Sequence, residues 1–178
     1  ELIKQQDKGG FSLKLRQLEI KDADGMLEWM HDRELCAGFR FDGSHATRES
    51  ACQFIGQSMS ETNRHYAIVD EQDEYLGTIS LKHIDENGAE YAIALRKKAI
   101  STGIAREATK ELLRIAFDTL GLKMVYLNVL EDNTRAIKSY EKSGFLYREG
   151  KDSTIQIKDV TKKLKWYVME KEQYEKIR

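Results

Sequence analysis

Residues 94–105 read ALRKKAISTGIA, and this stretch carries most of the information about the fold. An alternating apolar segment ends at Leu95, a basic turn follows, and apolar residues at helical spacing begin after Gly103. The pattern predicts a strand, a tight turn and then a helix. A helix start carries free N–H groups and a partial positive charge, so the turn is a candidate anion site.

The residues of this turn suit a phosphate group. Gly103 lets a ligand approach the backbone closely, Ser101 and Thr102 carry hydroxyl donors, and residues 96–98 are all basic. The turn is not a P-loop, because it lacks the Gly-Lys-Ser/Thr ending, and it lacks the glycine pattern of a dinucleotide-binding turn. Taken alone, a basic turn between a strand and a helix is more often a solvated loop.

A second informative stretch, residues 133–145, reads NTRAIKSYEKSGF. Asn133 is placed to begin a helix, and Ala136 and Tyr140 share one face of that helix at i,i+4 spacing. Gly144 then ends the helix. Considered singly, Tyr140 is as well explained as a core tyrosine with a satisfied hydroxyl as by a functional role.

Together the two stretches resemble the GNAT family of N-acetyltransferases, and the resemblance extends over about residues 12–170. The family pattern Asn-x-x-Ala-x-x-x-Tyr-x-x-x-Gly-Phe is matched at every named position. The phosphate-loop pattern Gln/Arg-x-x-Gly-x-Gly/Ala is matched at Gly103 and Ala105 but not at its first position, which is Ile100. This departure removes a side-chain contact to phosphate and leaves the backbone contacts in place.

The other predicted elements follow the order that this family has. Helices are predicted after Asp22 and Thr47, between Gly103 and Gly121, and over residues 133–143. Strands are predicted over residues 12–18, 66–69, 75–81, 89–95, 124–129, 145–147 and 164–169. We expect one domain over residues 1–178 with an α+β fold. It would be a GNAT-like mixed, mostly antiparallel sheet of about six to seven strands, with about four helices on both faces.

The composition limits the classes of function. The 178 residues include 29 basic and 30 acidic ones, whereas a nucleic-acid-binding domain has a strong basic excess. No run approaches the ~18 apolar residues of a membrane span, and no leader is apparent. We therefore expect a cytoplasmic monomer or homodimer that binds neither nucleic acid nor membrane. The four histidines lack metal-ligand spacing, so we expect no metal, and we expect Cys36 and Cys52 to be free thiols.

The resemblance implies that acetyl-CoA is the acyl donor. In this family two neighbouring strands separate, and the pantetheine arm lies in the gap; here these would be the strands over residues 89–95 and 124–129. The strand over residues 89–95 would pair with the arm through its backbone, and one N–H near Ala94 would face the thioester oxygen. The expected cofactor-binding residues are Ile93, Ala94, Leu95, Lys98, Ser101, Thr102, Gly103, Ile104, Ala105 and Asn133.

The resemblance also implies direct attack by an amine, with three catalytic residues. Glu90 is the candidate base, acting directly or through water, although it is equally well explained as an exposed hairpin carboxylate. Tyr140 stands where the family often has its proton donor. Proton transfer from a phenol of pKa near 10 to a thiolate near 8.5 is uphill by about 2 kcal/mol, so a hydrogen bond to the sulfur is the expected role. Asn133 would hold the cofactor nearby.

The acceptor amine is the part that the sequence determines least. Residues 26–32, MLEWMHD, are similar to the branch of the family that modifies amino-sugar nucleotides, protein N-termini and polyamines. We expect an amino-sugar type of acceptor, because no dense acidic pocket suited to a polyamine can be read over residues 29–42. The alternatives are a protein N-terminal or polyamine acetyltransferase, or a non-catalytic acyl-CoA-binding domain. Candidate acceptor residues, which packing or solvent contacts would explain more often, are Trp29, His31, Asp32, Phe39, Arg40, Phe41 and Asp42.

Overall fold

The structure, a computed structural model, describes residues 2–3, 12–37 and 42–178. Over these residues one mixed sheet of nine strands runs through the protein in the order β1-β2-β3-β4-β5-β6-β9-β7, with β8 paired to β9. The strands are β1 (Leu2–Ile3), β2 (Leu13–Gln17), β3 (Arg64–Val69), β4 (Tyr75–Lys82), β5 (Gly88–Leu95), β6 (Met124–Leu130), β7 (Leu146–Tyr147), β8 (Ser153–Ile157) and β9 (Val160–Glu170). All the pairs are antiparallel except β5 with β6, so the predicted fold class is confirmed.

The described residues form six α-helices, and the longest continues in a second geometry. The helices are α1 (Ala23–Met30), α2 (Arg33–Cys36), α3 (Arg48–Gly56), α4 (Ile104–Arg114), α5 (Thr134–Lys142) and α6 (Lys171–Ile177). A π-helical turn, Ile115–Thr119, extends α4, and Gly121 with φ 67° follows it. None of the described helices is both long enough and apolar enough to cross a membrane.

Helices cover both faces of the sheet, as predicted. Along β3, side chains alternate between two apolar clusters: Ala67 and Val69 pack with α1 and α3, whereas Tyr66 and Ile68 belong to the larger cluster beneath α4. The larger cluster includes fully buried side chains such as Leu112. Each large apolar side chain buried in this way contributes about 1.5–3 kcal/mol. The two faces are hereafter called the α4 face and the α1 face.

The structure contains more elements than the sequence predicted. The additional ones are β1, β8, α2 and α6, together with the beginning of β9. The hairpin of β8 and β9 turns at Lys158 and Asp159, with φ 46° and 66°. Neither residue is glycine, so the turn lacks the sequence signal that marked the hairpin at Asn87 and Gly88. The four predicted helices are all present.

Candidate active site

A cleft opens where β5 and β6 separate. Their parallel pairing is limited to Gly88 with Met124, Ala89 with Val125 and Glu90 with Tyr126. Beyond this point β5 remains paired with β4 as far as Leu95, and β6 remains paired with β9 as far as Leu130. The two strands diverge, and the cleft between them has a volume of ≈ 1740 Å³ and is lined by residues from both faces of the sheet.

The backbone of β5 has a free edge toward this cleft. The N–H of Arg96 donates to the carbonyl of Leu76 at 2.9 Å, on the β4 side. Successive residues of a strand direct their N–H and C=O groups to opposite sides, so those of Ala94 are directed to β4 and those of Ile93 and Leu95 to the cleft. Of the three residues expected to pair with the arm, Ile93 and Leu95 therefore have backbone groups directed to the cleft, and Ala94 does not.

The turn between β5 and α4 forms the end of the cleft on the α4 face. Gly103 precedes α4 with φ 87°, and no side chain caps this helix start. A Cβ atom added at Gly103 would meet nothing within 4 Å, so the space over the first N–H groups is open. Ile104 is buried and offers only its N–H, whereas Ser101 and Ala105 line the cleft. This geometry fits the phosphates of coenzyme A.

Two predicted contributors to phosphate binding are engaged elsewhere. The Nζ of Lys98 lies 2.6 Å from Oε1 of Glu74, so this ion pair holds it away from the cleft. The hydroxyl of Thr102 donates to the carbonyl of Ala99 at 2.5 Å, which leaves the N–H of Thr102 for a ligand. The sequence could not reveal the partner of Lys98, because Glu74 lies 24 residues earlier, immediately before β4.

The cations that do line the cleft on this face come from two banks. Lys97 and Arg106 lie on the bank of the β5–α4 turn. A second set, hereafter the α5 bank, consists of Arg135, Lys138 and Lys142. The sequence did not indicate the α5 bank, because its basic residues are spaced as they would be on any solvated helix face.

Asn133 and Tyr140 occupy the beginning and the last turn of α5. The side-chain oxygen of Asn133 accepts a hydrogen bond from the N–H of Ala136 at 3.4 Å, which caps the helix. The ring of Tyr140 meets that of Tyr91 edge-on at 5.5 Å and that of Phe145 at 6.2 Å. Both Asn133 and Tyr140 line the cleft.

Burial raises the pKa of Tyr140 to about 12. Proton transfer from such a phenol to a thiolate of pKa near 8.5 is uphill by about 5 kcal/mol, compared with about 2 kcal/mol for an ordinary tyrosine. The environment of Tyr140 therefore favours hydrogen-bond donation over full proton transfer, as the sequence argument anticipated.

Glu90 lies at the point where β5 and β6 begin to diverge. Its residue exposure is only 7%, so the alternative of an exposed hairpin carboxylate is wrong. The Nδ2 of Asn128 donates to its Oε1 at 3.2 Å, and the Nε2 of His83 lies 3.7 Å from its Oε2. By strand register Glu90 faces the α1 side, opposite Lys82, whereas Tyr91 beside Tyr140 faces the α4 side.

Known proteins share this architecture and parts of this sequence. The family model for the acetyltransferase (GNAT) domain matches residues 12–146. The chain belongs to the GNAT acetyltransferase family. It is therefore an acetyltransferase, and its acyl donor is acetyl-CoA.

Three relatives illustrate the range of this similarity. "Uncharacterized N-acetyltransferase p20" of Bacillus licheniformis is 31% identical over 158 residues, which are 82% of this chain and 89% of that protein. Acetyltransferase PseH of Campylobacter jejuni is 28% identical over 112 residues, 61% of this chain and 68% of that protein. The crystal structure of spermidine N-acetyltransferase from Vibrio cholerae, in complex with CoA and spermine, has a TM-score of 0.82 at 21% identity, covering 91% of this chain and 97% of that chain.

The α1 face of this GNAT acetyltransferase contains only part of the acceptor site expected from the sequence. Trp29 is buried and its Nε1 donates to the hydroxyl of Tyr75 at 3.0 Å, so it packs in the core at the edge of the cleft, which it also lines. The Nε2 of His31 lies 2.7 Å from the carbonyl oxygen of Ala46. Asp32 and Asp42 both line the cleft, and Phe39, Arg40 and Phe41 lie outside the described residues.

Two neutral groups on this face of the acetyltransferase were not predicted. Nδ1 of His65 lies 2.6 Å from Oγ of Ser80, and both residues line the cleft. Burial and the charge of Lys82 lower the pKa of His65 to about 4, so its imidazole is neutral at physiological pH. The pair follows from the register of β3 with β4, which places the two residues opposite each other, and no local motif indicates it.

Proposed function

We propose that this acetyltransferase moves the acetyl group directly to a primary amine of an acceptor that carries more than one positive charge. The observation that supports this is the division of charge across the cleft. The α4 face contributes the cations Lys97, Arg106, Arg135, Lys138 and Lys142. The α1 face contributes four carboxylates, Asp32, Glu34, Asp42 and Glu90, against one cation, Lys82, so its net charge is negative. Such a field attracts an anionic donor from one side and a cationic acceptor from the other.

On the α4 face, backbone groups would hold the donor. Acetyl-CoA supplies the acetyl group as a thioester. Ile93 and Leu95 pair with the pantetheine arm as an added strand would, and one of their N–H groups faces the thioester oxygen and stabilises the charge that develops there. The N–H groups over residues 101–105 bind the pyrophosphate, and the side-chain amide of Asn133 holds the arm.

From the two faces, Glu90 and Tyr140 would act on opposite ends of the reaction. Freeing a lysine-like amine of pKa near 10.4 at pH 7 costs about 4–5 kcal/mol, so a base on the acceptor side is useful. Glu90 takes this proton, directly or through water. Tyr140 donates a hydrogen bond to the sulfur as its negative charge builds, and solvent then supplies the proton.

The acidic lining favours a polyamine-like acceptor over the amino sugar expected from the sequence. That expectation depended on finding no acidic pocket over residues 29–42, but Asp32, Glu34 and Asp42 of that range line the cleft, together with Glu90. The relative from Vibrio cholerae is named for spermidine, and its crystal structure contains spermine. An amino sugar is the second candidate, because the neutral pair of His65 and Ser80 suits the hydroxyl groups of a sugar.

The test compares acceptors by the thiol that acetyl-CoA releases. We expect kcat/KM for spermidine to exceed that for glucosamine at least tenfold, or about 1.4 kcal/mol. The double substitution Asp32→Asn/Glu34→Gln should reduce this preference, and the Asn keeps the hydrogen bond that caps α2. Glu131→Gln, which changes an exposed carboxylate that does not line the cleft, is the control.

The other outcomes separate the alternatives. A preference for glucosamine would overturn the polyamine-like acceptor and leave N-acetyl transfer intact. A preference for a peptide α-amine would assign the protein to N-terminal acetylation. If none of the amines causes thiol release although CoA binds normally, catalysis would be contradicted and the acyl-CoA-binding domain would be favoured.

A further inference from the structure

The proposed reaction releases a proton that has to leave a buried group. An ammonium and a thioester give an amide, a thiol and one proton: the N–C bond forms, the C–S bond breaks, and of the two protons that the nitrogen loses, one ends on the sulfur. The other is taken by Glu90, whose side chain is only 9% exposed. Glu90 must therefore pass this proton on before it can act again.

His83 lies between this carboxylate and solvent. Its side chain is 69% exposed, and its Nε2 is 3.7 Å from Oε2 of Glu90. The Nδ2 of Asn128 donates to the other carboxylate oxygen, Oε1, at 3.2 Å. All three residues line the cleft. A small rotation of the imidazole, or one bridging water, closes the gap to Oε2, so a proton can pass between Glu90 and His83.

The backbone fixes the position of this imidazole. His83 has φ 53°, in the left-handed region that residues other than glycine rarely adopt. Its N–H donates to Oδ1 of Asn63 at 3.1 Å, and the N–H of Ile84 donates to the carbonyl of Thr62 at 2.8 Å. Backbone strain of this kind persists where the surrounding contacts enforce it, and it clusters at functional sites. The turn after β4 thus holds His83 beside Glu90 in spite of the strain.

An imidazole suits this step, because its ordinary pKa is closer to that of the amine than the ordinary pKa of a carboxyl group is. Proton transfer from an amine of pKa near 10.4 is unfavourable by about 10⁶-fold to a carboxylate near 4.3, but by only about 10⁴-fold to an imidazole near 6.5. Between ordinary groups the proton therefore prefers the imidazole by about 10²-fold. The other titratable or charged groups around the pair are Lys82 and Tyr126, opposite Glu90 on the two adjacent strands, Asp85 and the neutral His65.

We propose that His83 is the proton relay of the acceptor side, which takes from Glu90 the proton of the amine and releases it to solvent. This inference rests on the proposed function. The proton moves from the nitrogen of the ammonium to Oε2 of Glu90 and from there to Nε2 of His83, and the imidazolium then gives a proton to water or buffer. His83 touches no reacting atom and acts only through Glu90.

The experiment tests whether free imidazole can replace the side chain of His83. Because glycine adopts positive φ readily, His83→Gly removes the imidazole without straining the turn. With spermidine as acceptor at pH 7, in a dilute and bulky buffer, we expect kcat to fall at least tenfold while KM changes little. Added imidazole should restore kcat in proportion to its concentration.

Two further variants serve as controls. Asp159→Gly makes the same kind of backbone change at an exposed residue of positive φ, 66°, that does not line the cleft, so its kcat should be unchanged with or without imidazole. In Glu90→Gln added imidazole should restore nothing, because no proton reaches the position of His83.

Each other result overturns the inference in a distinct way. Unchanged kcat in His83→Gly would mean that Glu90 exchanges its proton with water directly. A reduced kcat that imidazole does not restore would make His83 a residue that only supports the geometry of the site, and a rise in KM alone would place it in acceptor binding. If the unmodified protein releases no thiol with any amine, the proposed function fails and the inference fails with it.

Discussion

The hydroxyl of Tyr140 is a weak acid because its ring packs against Tyr91 and Phe145, and its pKa of about 12 keeps it protonated over the working pH range. We predict that Tyr140→Phe lowers kcat by about 10²-fold, because the hydrogen bond to the developing thiolate is lost. The dissociation constant of CoA should change little, since the phenyl ring keeps the packing. Steady-state thiol release and calorimetry measure the two quantities, and near-normal turnover would make Tyr140 a packing residue.

The role of Glu90 as a base can be tested by the pH dependence of turnover. In Glu90→Gln the shape and the contact with Asn128 are retained, but no base remains. With spermidine as acceptor, we predict a loss of about 10²-fold at pH 7 that largely disappears by about pH 9.5, because the amine then loses its proton to solvent. The rate of the variant rises with pH because the neutral fraction of the acceptor amine rises with pH.

An acceptor amine of lower pKa is the internal comparison for Glu90. An amine with pKa near 8 has an ammonium penalty of only about 1 kcal/mol at pH 7, so Glu90→Gln should matter much less for glucosamine. A loss that is the same at every pH and for both acceptors would mean that Glu90 supports the structure or binding and does not accept a proton.

Among the elements, the start of α4 is the most specific. Gly103 has φ 87° and open space where a side chain would stand, which is the space assigned to the pyrophosphate. We predict that Gly103→Val weakens CoA binding at least tenfold, about 1.4 kcal/mol. Gly121→Val is the matched control: Gly121 also has positive φ, 67°, and open space, but lies outside the cleft. Equal CoA affinity in folded Gly103→Val would remove this site.

How much of an element the sequence predicts depends on whether its signal is local. Helix α3 is signalled by Thr47, whose side chain accepts from the N–H of Ser50, and α5 by Asn133. Strand β8 pairs only with β9 through a turn without glycine, so nothing local marks it. The sequence also gives no signal for the left-handed conformation of Ser101, φ 62°, because serine rarely adopts it.

For the whole molecule, the net charge of −1 conceals a strong separation of charge. The sequence predicted that Tyr140, Glu90 and the helix start share one site, and all three line the cleft. Tyr140 and the helix start were signalled by continuous motifs, and Glu90 by its place at the beginning of a strand. The sequence placed Lys98 at the phosphates, where Lys97 lines the cleft instead. Which lysine faces a ligand depends on partners that folding supplies, here Glu74 of the neighbouring strand end.

The stability of the whole fold depends on another ion pair, buried between β2 and the start of α1. Asp22 is 2% exposed, and its carboxylate accepts two hydrogen bonds from Arg16, at 2.8 and 2.9 Å. We predict that Asp22→Ala lowers the free energy of unfolding by about 1–3 kcal/mol, because the part-buried guanidinium loses two charged hydrogen bonds and keeps only Asp73 as its acidic partner. Asp24→Ala breaks an exposed pair with Arg48 and should cost about 0–1 kcal/mol. Urea titrations measure both, and similar small losses would contradict the argument.

The separation of β5 and β6 has a consequence for how the reaction is regulated. In the proposed binding mode Ile93 and Leu95 pair with the pantetheine arm, and the arm is the same before and after the acetyl group leaves. The product, free CoA, therefore competes with acetyl-CoA for the same strand edge with nearly equal affinity. Turnover then follows the ratio of acetyl-CoA to free CoA, so that amine acetylation slows whenever the acyl supply runs low, even if total coenzyme is constant.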